Sequence, residues 1–338
     1  MTTSTFRVER PTIDAHQVGS YYPDSFRRAT DLRYPSLTTT VPREFVHRAA
    51  VAEVMLTDWE QVDDTRFRVA AQWPRSHSFF TPIDGEYHDP LMVTETVRQV
   101  GYLLAHAGFG VPIDHQFLLW NLTVTVHPEH LRVRQTPASL DIKVTCTDLK
   151  RRGNGDLAGL HYETEFRRDG QLVATGGATF TCTTPAAYRR VRGDHAFGAN
   201  DPYALPLTAP AAPQSVGRTS PVDVVLSPVG EPNRWQLRVD TRHPVLFDHP
   251  VDHVPGMLLL EAARQAAAGA LERSSILPLS IAGDFRRYVE LGAPCTIEAC
   301  LVPEQLPDGS ELVLVTGHQD DVLCFSASLM VAPAPQDR

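Results

Sequence analysis

The chain has 338 residues, 42% hydrophobic and 21% charged, enough for two ordinary cores with neither half disordered in composition. Thirty-one Lys and Arg against 40 Asp and Glu give a net charge of −9, which argues against holding nucleic acid through a general basic field and leaves the clustered arginines at 151–152, 189–192 and 286–287 as a local basic patch or, the commoner case, solvated surface. Five cysteines with no C-x-x-C spacing argue against a zinc site or a disulfide framework, and no apolar run approaches the ~20 residues that cross a bilayer, so a cytoplasmic protein with reduced thiols and no membrane or metal partner is expected.

Residues 1–40 have no internal counterpart and read as an N-terminal extension. Next comes Val46-His-Arg-Ala-Ala-Val-Ala-Glu-Val-Met-Leu56, answered by Val216-Gly-Arg-Thr-Ser-Pro-Val-Asp-Val-Val-Leu226 with Val, Arg, Val and Leu in register and Glu53 matched by Asp223. His77 stands 18 residues before Glu95, and His243 stands 18 before Glu261, without a gap. A helix follows each histidine: Asp89 and Pro90 suit an N-cap and a first helical position, Gly108 and Gly110 an end, and Pro255-Gly256 opens the second helix.

After the first helix, period-two segments at 117–126, 140–147, 161–166 and 172–182 read as antiparallel strands, and after the second the segments at 285–289, 296–302, 312–316 and 322–331 do the same. Arg168-Asp-Gly170 and Pro307-Asp-Gly-Ser310 suit hairpin turns. Residues 186–214, with Pro202, Pro206, Pro210 and Pro213, have linker composition. The expected organisation is an extension at 1–40, one domain at 41–185, the linker at 186–214, a second domain at 215–332 and a tail at 333–338. A strand, a His-bearing loop, one long helix and then several antiparallel strands is the order of a hotdog fold. The fold class is therefore α+β, two tandem hotdog domains forming an internal pseudo-dimer.

On the first helix Val93, Val97, Val100 and Leu104 form a stripe, matched by Leu259, Ala263, Ala266 and Ala270, that should face its own sheet. The opposite stripe carries Leu91, Met92, Glu95, Arg98, Gln99 and Tyr102, matched by Met257, Leu258, Glu261, Arg264, Gln265 and Ala268. A lone Glu-x-x-Arg is ordinarily an exposed pair worth about 0.2–0.5 kcal/mol. Among apolar neighbours it is expected instead beside a buried cleft between the two units. His88, His249 and His253 join His77 and His243 in the loops ahead of the helices, a density of groups titrating near neutrality that suits acid–base work. At Gly256 and Met257 the start of the second helix offers free N–H groups to a developing negative charge.

The segments Val46 to Trp59, Ala71 to Phe80 and Asp89 to Gly101, with the second-half run from Pro255-Gly-Met257 to Glu261-Ala-Ala-Arg-Gln265, resemble the A-factor synthase (AfsA-like) family of γ-butyrolactone and butenolide synthases of actinomycetes over roughly residues 41–332. Val254-Pro-Gly-Met-Leu-Leu-Leu-Glu261 more distantly resembles the helix entry of hotdog dehydratases, but Asp248-His-Pro-Val-Asp-His253 stands where their usual motif would. The resemblance implies condensation of a β-ketoacyl thioester, on acyl carrier protein or coenzyme A, with dihydroxyacetone phosphate, giving a phosphorylated ester that closes to a butenolide or furan precursor of a signalling molecule. It needs no cofactor.

By motif match the acidic and basic helix residues fall on Glu95, Arg98, Glu261 and Arg264, with the second pair favoured for chemistry. His243, His249 and His253 complete the expected catalytic set; Gly256, Met257, Gln265, Gln99, His77 and His88 are expected against substrate. The rival readings are a hotdog thioesterase or dehydratase, and a non-catalytic acyl-binding module in which the Glu–Arg pairs clamp the pseudo-dimer. A further homodimer is left open.

Overall fold

A computed structural model of the chain describes residues 38–196, 205–303 and 306–333. The expected extension therefore lies, but for its last residues, outside the described part. From Thr40 onward the chain forms one compact unit.

Its first half runs β1 (Leu56–Gln61), β2 (Arg66–Trp73), helix α1 (Pro90–Leu103), β3 (Gln116–Val126), β4 (Ala138–Arg151), β5 (Leu157–Arg168) and β6 (Gln171–Thr183). A short helix α2 (Pro185–Arg192) follows. The second half repeats the series as β7 (Leu226–Pro228), β8 (Arg234–Leu237), α3 (Gly256–Ala270), β9 (Pro278–Phe285), β10 (Cys295–Leu301), β11 (Glu311–Gln319) and β12 (Val322–Val331).

All twelve strands form one sheet in the order β1-β2-β4-β5-β6-β3-β9-β12-β11-β10-β8-β7. Read inward from either edge the order is the same, so two identical topologies meet where β3 and β9 pair antiparallel, Thr123 opposite Ala282 and Thr125 opposite Ser280. The alternation that marked the strands is the alternation of burial: along β4 the pattern is strictly buried and exposed from Ala138 to Cys146.

Each helix is wrapped by its own half-sheet. Val93, Val97, Val100 and Leu104 are wholly buried, but so are Leu91, Thr94, Glu95 and Gln99, so α1 is enclosed except where Arg98 and Tyr102 are partly exposed. Backbone and side chain touch closely where glycines allow it: a Cβ on Gly101 would stand 2.6 Å from the Tyr162 hydroxyl, which donates to Val97 O at 2.6 Å, and one on Gly283 would stand 2.7 Å from Leu260.

Helix α1 begins as expected, with the Asp89 carboxylate accepting from Leu91 N and Pro90 at the first position. Its last turn loosens into a π-turn over Leu104–Gly108. Asp169 and Gly170 both take positive φ in the β5–β6 hairpin, as the Arg168-Asp-Gly170 turn requires.

Three local expectations change. Residues 285–289 are not a strand; the strand is Pro278–Phe285, and the chain leaves the sheet at Arg286. The repeated Val46–Leu56 and Val216–Leu226 segments are mainly pairs of 3₁₀ turns, and a two-stranded hairpin instead of one strand precedes each His-bearing loop. The segment read as a linker opens with α2, started by a Thr184 cap and Pro185. No helix among the described residues is long and apolar enough to cross a membrane.

Candidate active site

The duplicated Glu-x-x-Arg-Gln pattern folds into two matching buried networks. In the first, Glu95 accepts from Arg98 Nε at 2.8 Å and Nη2 at 2.7 Å, from Arg48 Nε at 3.0 Å and from Gln99 Nε2 at 2.7 Å. Gln99 also donates to Glu53 O and accepts from Met55 N, tying α1 to the segment that precedes β1. In the second, Glu261 accepts from Arg264, Arg218 and Gln265, while Gln265 donates to Asp223 O and accepts from Val225 N. Burial would raise both carboxyls, yet the paired guanidiniums hold Glu95 and Glu261 down to about 2.

Each network reaches across the seam. Arg48 Nη1 donates to Val245 O at 3.0 Å in the second half, and Arg218 Nη1 donates to Phe79 O at 2.7 Å in the first. His77 and His243 organise the loops those carbonyls belong to. Nδ1 of His77 accepts from Phe79 N and Phe80 N, and Nδ1 of His243 accepts from Val245 N and Leu246 N. Their Nε2 atoms stand 3.3 Å from Glu53 and 3.2 Å from Asp223.

The symmetry breaks at the helix starts. Asp89 caps α1, its buried carboxyl facing Arg264 and Arg218; burial raises its pKa against the pull of those two cations. Pro255 holds the matching place ahead of α3, where no side chain caps the helix. There the structure opens a cavity of about 670 Å³, lined by Gly256 and Met257 from α3, Arg98 and Tyr102 from α1, His47 and Arg48, the loop carrying His249 and His253, α2 at Val191 and Arg192, and residues 285–290. Leu118, Leu119, Leu259 and Leu260 supply its apolar wall.

Of the residues expected from sequence, Arg98, His249, His253, Gly256 and Met257 line this cavity. Glu95, Glu261, Arg264, Gln99, Gln265, His77, His88 and His243 do not. Arg264 is buried with Glu261 behind the α3 backbone, and His88 lies against Trp73 with its rings 5.6 Å apart, burial pushing it down to about 4. The expected shared pocket around Glu261 and Arg264 is thus replaced by an asymmetric one, fed by the basic residue of one helix and the start of the other.

Several groups on the cavity wall or just behind it were given no role in the sequence reading. His253 Nδ1 bonds Asp252 Oδ1 at 2.7 Å, and Asp252 also accepts from Tyr188 of α2 at 2.7 Å. Burial would raise Asp252, but the bonds from His253 and Tyr188 and the nearby Arg192 keep it down to about 2. Arg192 pairs with Glu290 and stacks over Tyr288, 4.2 Å from the ring centroid. Asp248 accepts from Ala49 N and Ala50 N, pinning the His249 loop to the opposite half. Arg48 was in plain view as the residue repeated in Arg218; the Arg192–Glu290 pair spans 98 residues and has no local signal.

Comparison with known proteins agrees with this architecture. The family described as "AfsA: A-factor biosynthesis hotdog domain" matches residues 30–184 and 200–334. A Streptomyces virginiae protein named 2-oxo-3-(phosphooxy)propyl 3-oxoalkanoate synthase is 54% identical over 293 residues, 86% of this chain and 97% of that protein. One of the same name from Streptomyces coelicolor is 45% identical over 86% of this chain and 90% of that protein. Among solved structures, an oleoyl thioesterase from Lactobacillus plantarum superposes at a TM-score of 0.50 with 12% identity, covering 80% of this chain and 97% of that one, a likeness of fold alone. With both halves matched in order and relatives this similar over nearly their whole length, the chain belongs to the A-factor biosynthesis hotdog family.

Proposed function

We propose that the protein transfers a 3-oxoacyl group from a thioester to the hydroxyl of dihydroxyacetone phosphate, giving a 2-oxo-3-(phosphooxy)propyl 3-oxoalkanoate. The observation that carries this reading is the 54% identity, across 97% of its length, to a relative named for making that product. The cavity at the start of α3 is consistent with it, since it joins an apolar wall for the acyl chain to a cluster of basic and imidazole groups.

In this reading the acyl chain lies against Leu118, Leu119, Leu259 and Leu260, and the thioester oxygen meets the uncapped start of α3. The Gly256 and Met257 N–H groups and the helix dipole stabilise the oxyanion that forms on attack. Arg98 holds the phosphate, with Arg48 beside it: the buried trio of Arg48, Arg98 and Glu95 has two cations to one anion, and both arginines line the cavity. His253, oriented by Asp252, carries the proton between the attacking hydroxyl and the departing sulfur. Glu261 and Arg264 serve to fix α3 against the segment before β7.

The carrier is acyl carrier protein or coenzyme A; both present the same thioester. Closure of the ester to a five-membered ring uses a methylene between two carbonyls, whose proton leaves easily, and asks little more of the site. A cytoplasmic setting suits the five free cysteines.

The test is mass spectrometry of the purified chain with a 3-oxoacyl thioester and dihydroxyacetone phosphate. The phosphorylated ester is the expected product. Free 3-oxo acid alone, formed equally fast without the three-carbon phosphate, would make the protein a thioesterase instead.

A further inference from the structure

His47 lines the cavity and was given no role above. It is one of the few non-glycine residues with a left-handed backbone, φ 51° and ψ 54°, at the end of the first 3₁₀ turn. Its repeat counterpart, Gly217, adopts φ 68° as glycine does freely. In the second half a side chain there would be tight, because a Cβ on Gly217 would stand 3.3 Å from Ala268 and from Arg264. The first half thus carries a histidine in a backbone conformation that glycine adopts freely, a departure that tends to be met at functional sites.

What surrounds the ring fixes its chemistry. It stacks on Tyr102, centroids 4.6 Å apart and planes 6° from parallel, and meets Phe117 edge-on at 5.3 Å. Its Nε2 lies 2.8 Å from Nε2 of His106, whose Nδ1 lies 2.7 Å from Val111 O. A carbonyl only accepts, so His106 carries its proton on Nδ1 and offers a bare Nε2; His47 must then donate from Nε2. Its Nδ1 is left with a lone pair. Burial and the neighbouring His106, Arg98 and His249 push its pKa down to about 3, so the ring stays neutral at any working pH. It is a poor proton carrier and a dependable hydrogen-bond acceptor in a corner otherwise crowded with donors.

We infer that His47 contacts the substrate, its Nδ1 lone pair accepting a hydrogen bond from the hydroxyl of the three-carbon phosphate held by Arg98 and so aiming that oxygen at the thioester carbonyl. This rests on the transfer reaction proposed above. The step it serves is balanced: the hydroxyl, positioned by His47 in the bound state, turns its hydrogen to His253 as it attacks, its oxygen bonds to the acyl carbon, the carbon–sulfur bond breaks, and His253 passes that proton to the departing sulfur.

The experiment compares full-length His47→Gly, His47→Phe and His47→Asn with the wild type, following ester formation, thioester hydrolysis and melting. Gly keeps the backbone easy, Phe keeps the stacking ring, and neither has an acceptor; each should lose about tenfold or more in kcat/KM for dihydroxyacetone phosphate. Asn, at ease in the left-handed region and bearing an acceptor oxygen, should recover part of the loss. Ester formation by His47→Gly at the wild-type rate would overturn the inference.

A second readout separates this from failure of the reaction itself. In ¹⁵N-histidine NMR of the wild type, the His47 Nδ1 signal should be that of an unprotonated nitrogen, and it should move with dihydroxyacetone phosphate more than with 2-oxopropyl phosphate, which lacks the hydroxyl. A protonated Nδ1, or equal response to the two, would overturn the assignment even if no ester were ever detected.

Discussion

Glu261 has two guanidiniums and an amide on its carboxylate and no surface in the cavity, so its substitution should be felt in folding. Glu261→Gln leaves Arg218 and Arg264 buried without their counter-charge and should cost about 3 kcal/mol or more, read as a lower melting temperature. The folded-state pKa of both Glu95 and Glu261, about 2 against an ordinary 4.5, gives the sign with pH: their stabilisation is present above about 4.5 and is lost as pH falls toward 2. Melting followed across that window should show acid destabilisation that shrinks in the Gln variants. Asp252→Asn keeps the shape around His253 but removes the group that sets its tautomer and a counter-charge of Arg192; turnover should fall about 100-fold at a temperature where the variant is still folded, with some loss of melting temperature, and wild-type turnover would remove His253 from the mechanism. At this scale the Glu, Arg and Gln pattern was legible because it is local and repeated. Which arginine reaches solvent was not, since that depends on whether Ala268 or Tyr102 stands one turn further on and on what caps the opposite helix.

The helices and long strands could be read directly: Asp89-Pro90 starts α1, Pro255-Gly256 starts α3, and β4 alternates cleanly from Ala138 to Cys146. Strand β9 could not, because it packs Ser280, Ala282, Gly283 and Asp284 against β3 and so lacks an apolar rhythm, while Tyr288 and Val289 just beyond it line the cavity from a loop. The two helix starts make the sharpest test at the level of elements. Pro255→Asp gives α3 the cap that α1 already has and places a carboxylate among the free N–H groups. Melting should hold or rise by about the 1 kcal/mol of a cap, while ester formation collapses. Normal turnover in that variant would show that the α3 start does not hold the reacting carbonyl.

For the whole molecule the count of sites follows from the same contrast. Titration with a non-reactive 3-oxoacyl thioester analogue should give one equivalent per chain, since the matching corner in the first half is taken up by Asp89, Leu91 and Met92, all buried. Two equivalents would mean that the closed corner also accepts ligand. The pairing of halves was visible in sequence through the repeat spacing, but the repeat spoke only of likeness; the differences that matter, His47 against Gly217, Tyr102 against Ala268 and Asp89 against Pro255, read as ordinary divergence until the seam brought them together. Two separate identical chains across a two-fold axis must present the same residue at both helix starts and in both 3₁₀ turns. Covalent linkage of the copies lifts that obligation: one polypeptide can keep a sealed corner as scaffold and specialise the other, and the crossed arginines from Arg48 and Arg218 ensure that neither copy can be discarded in the process.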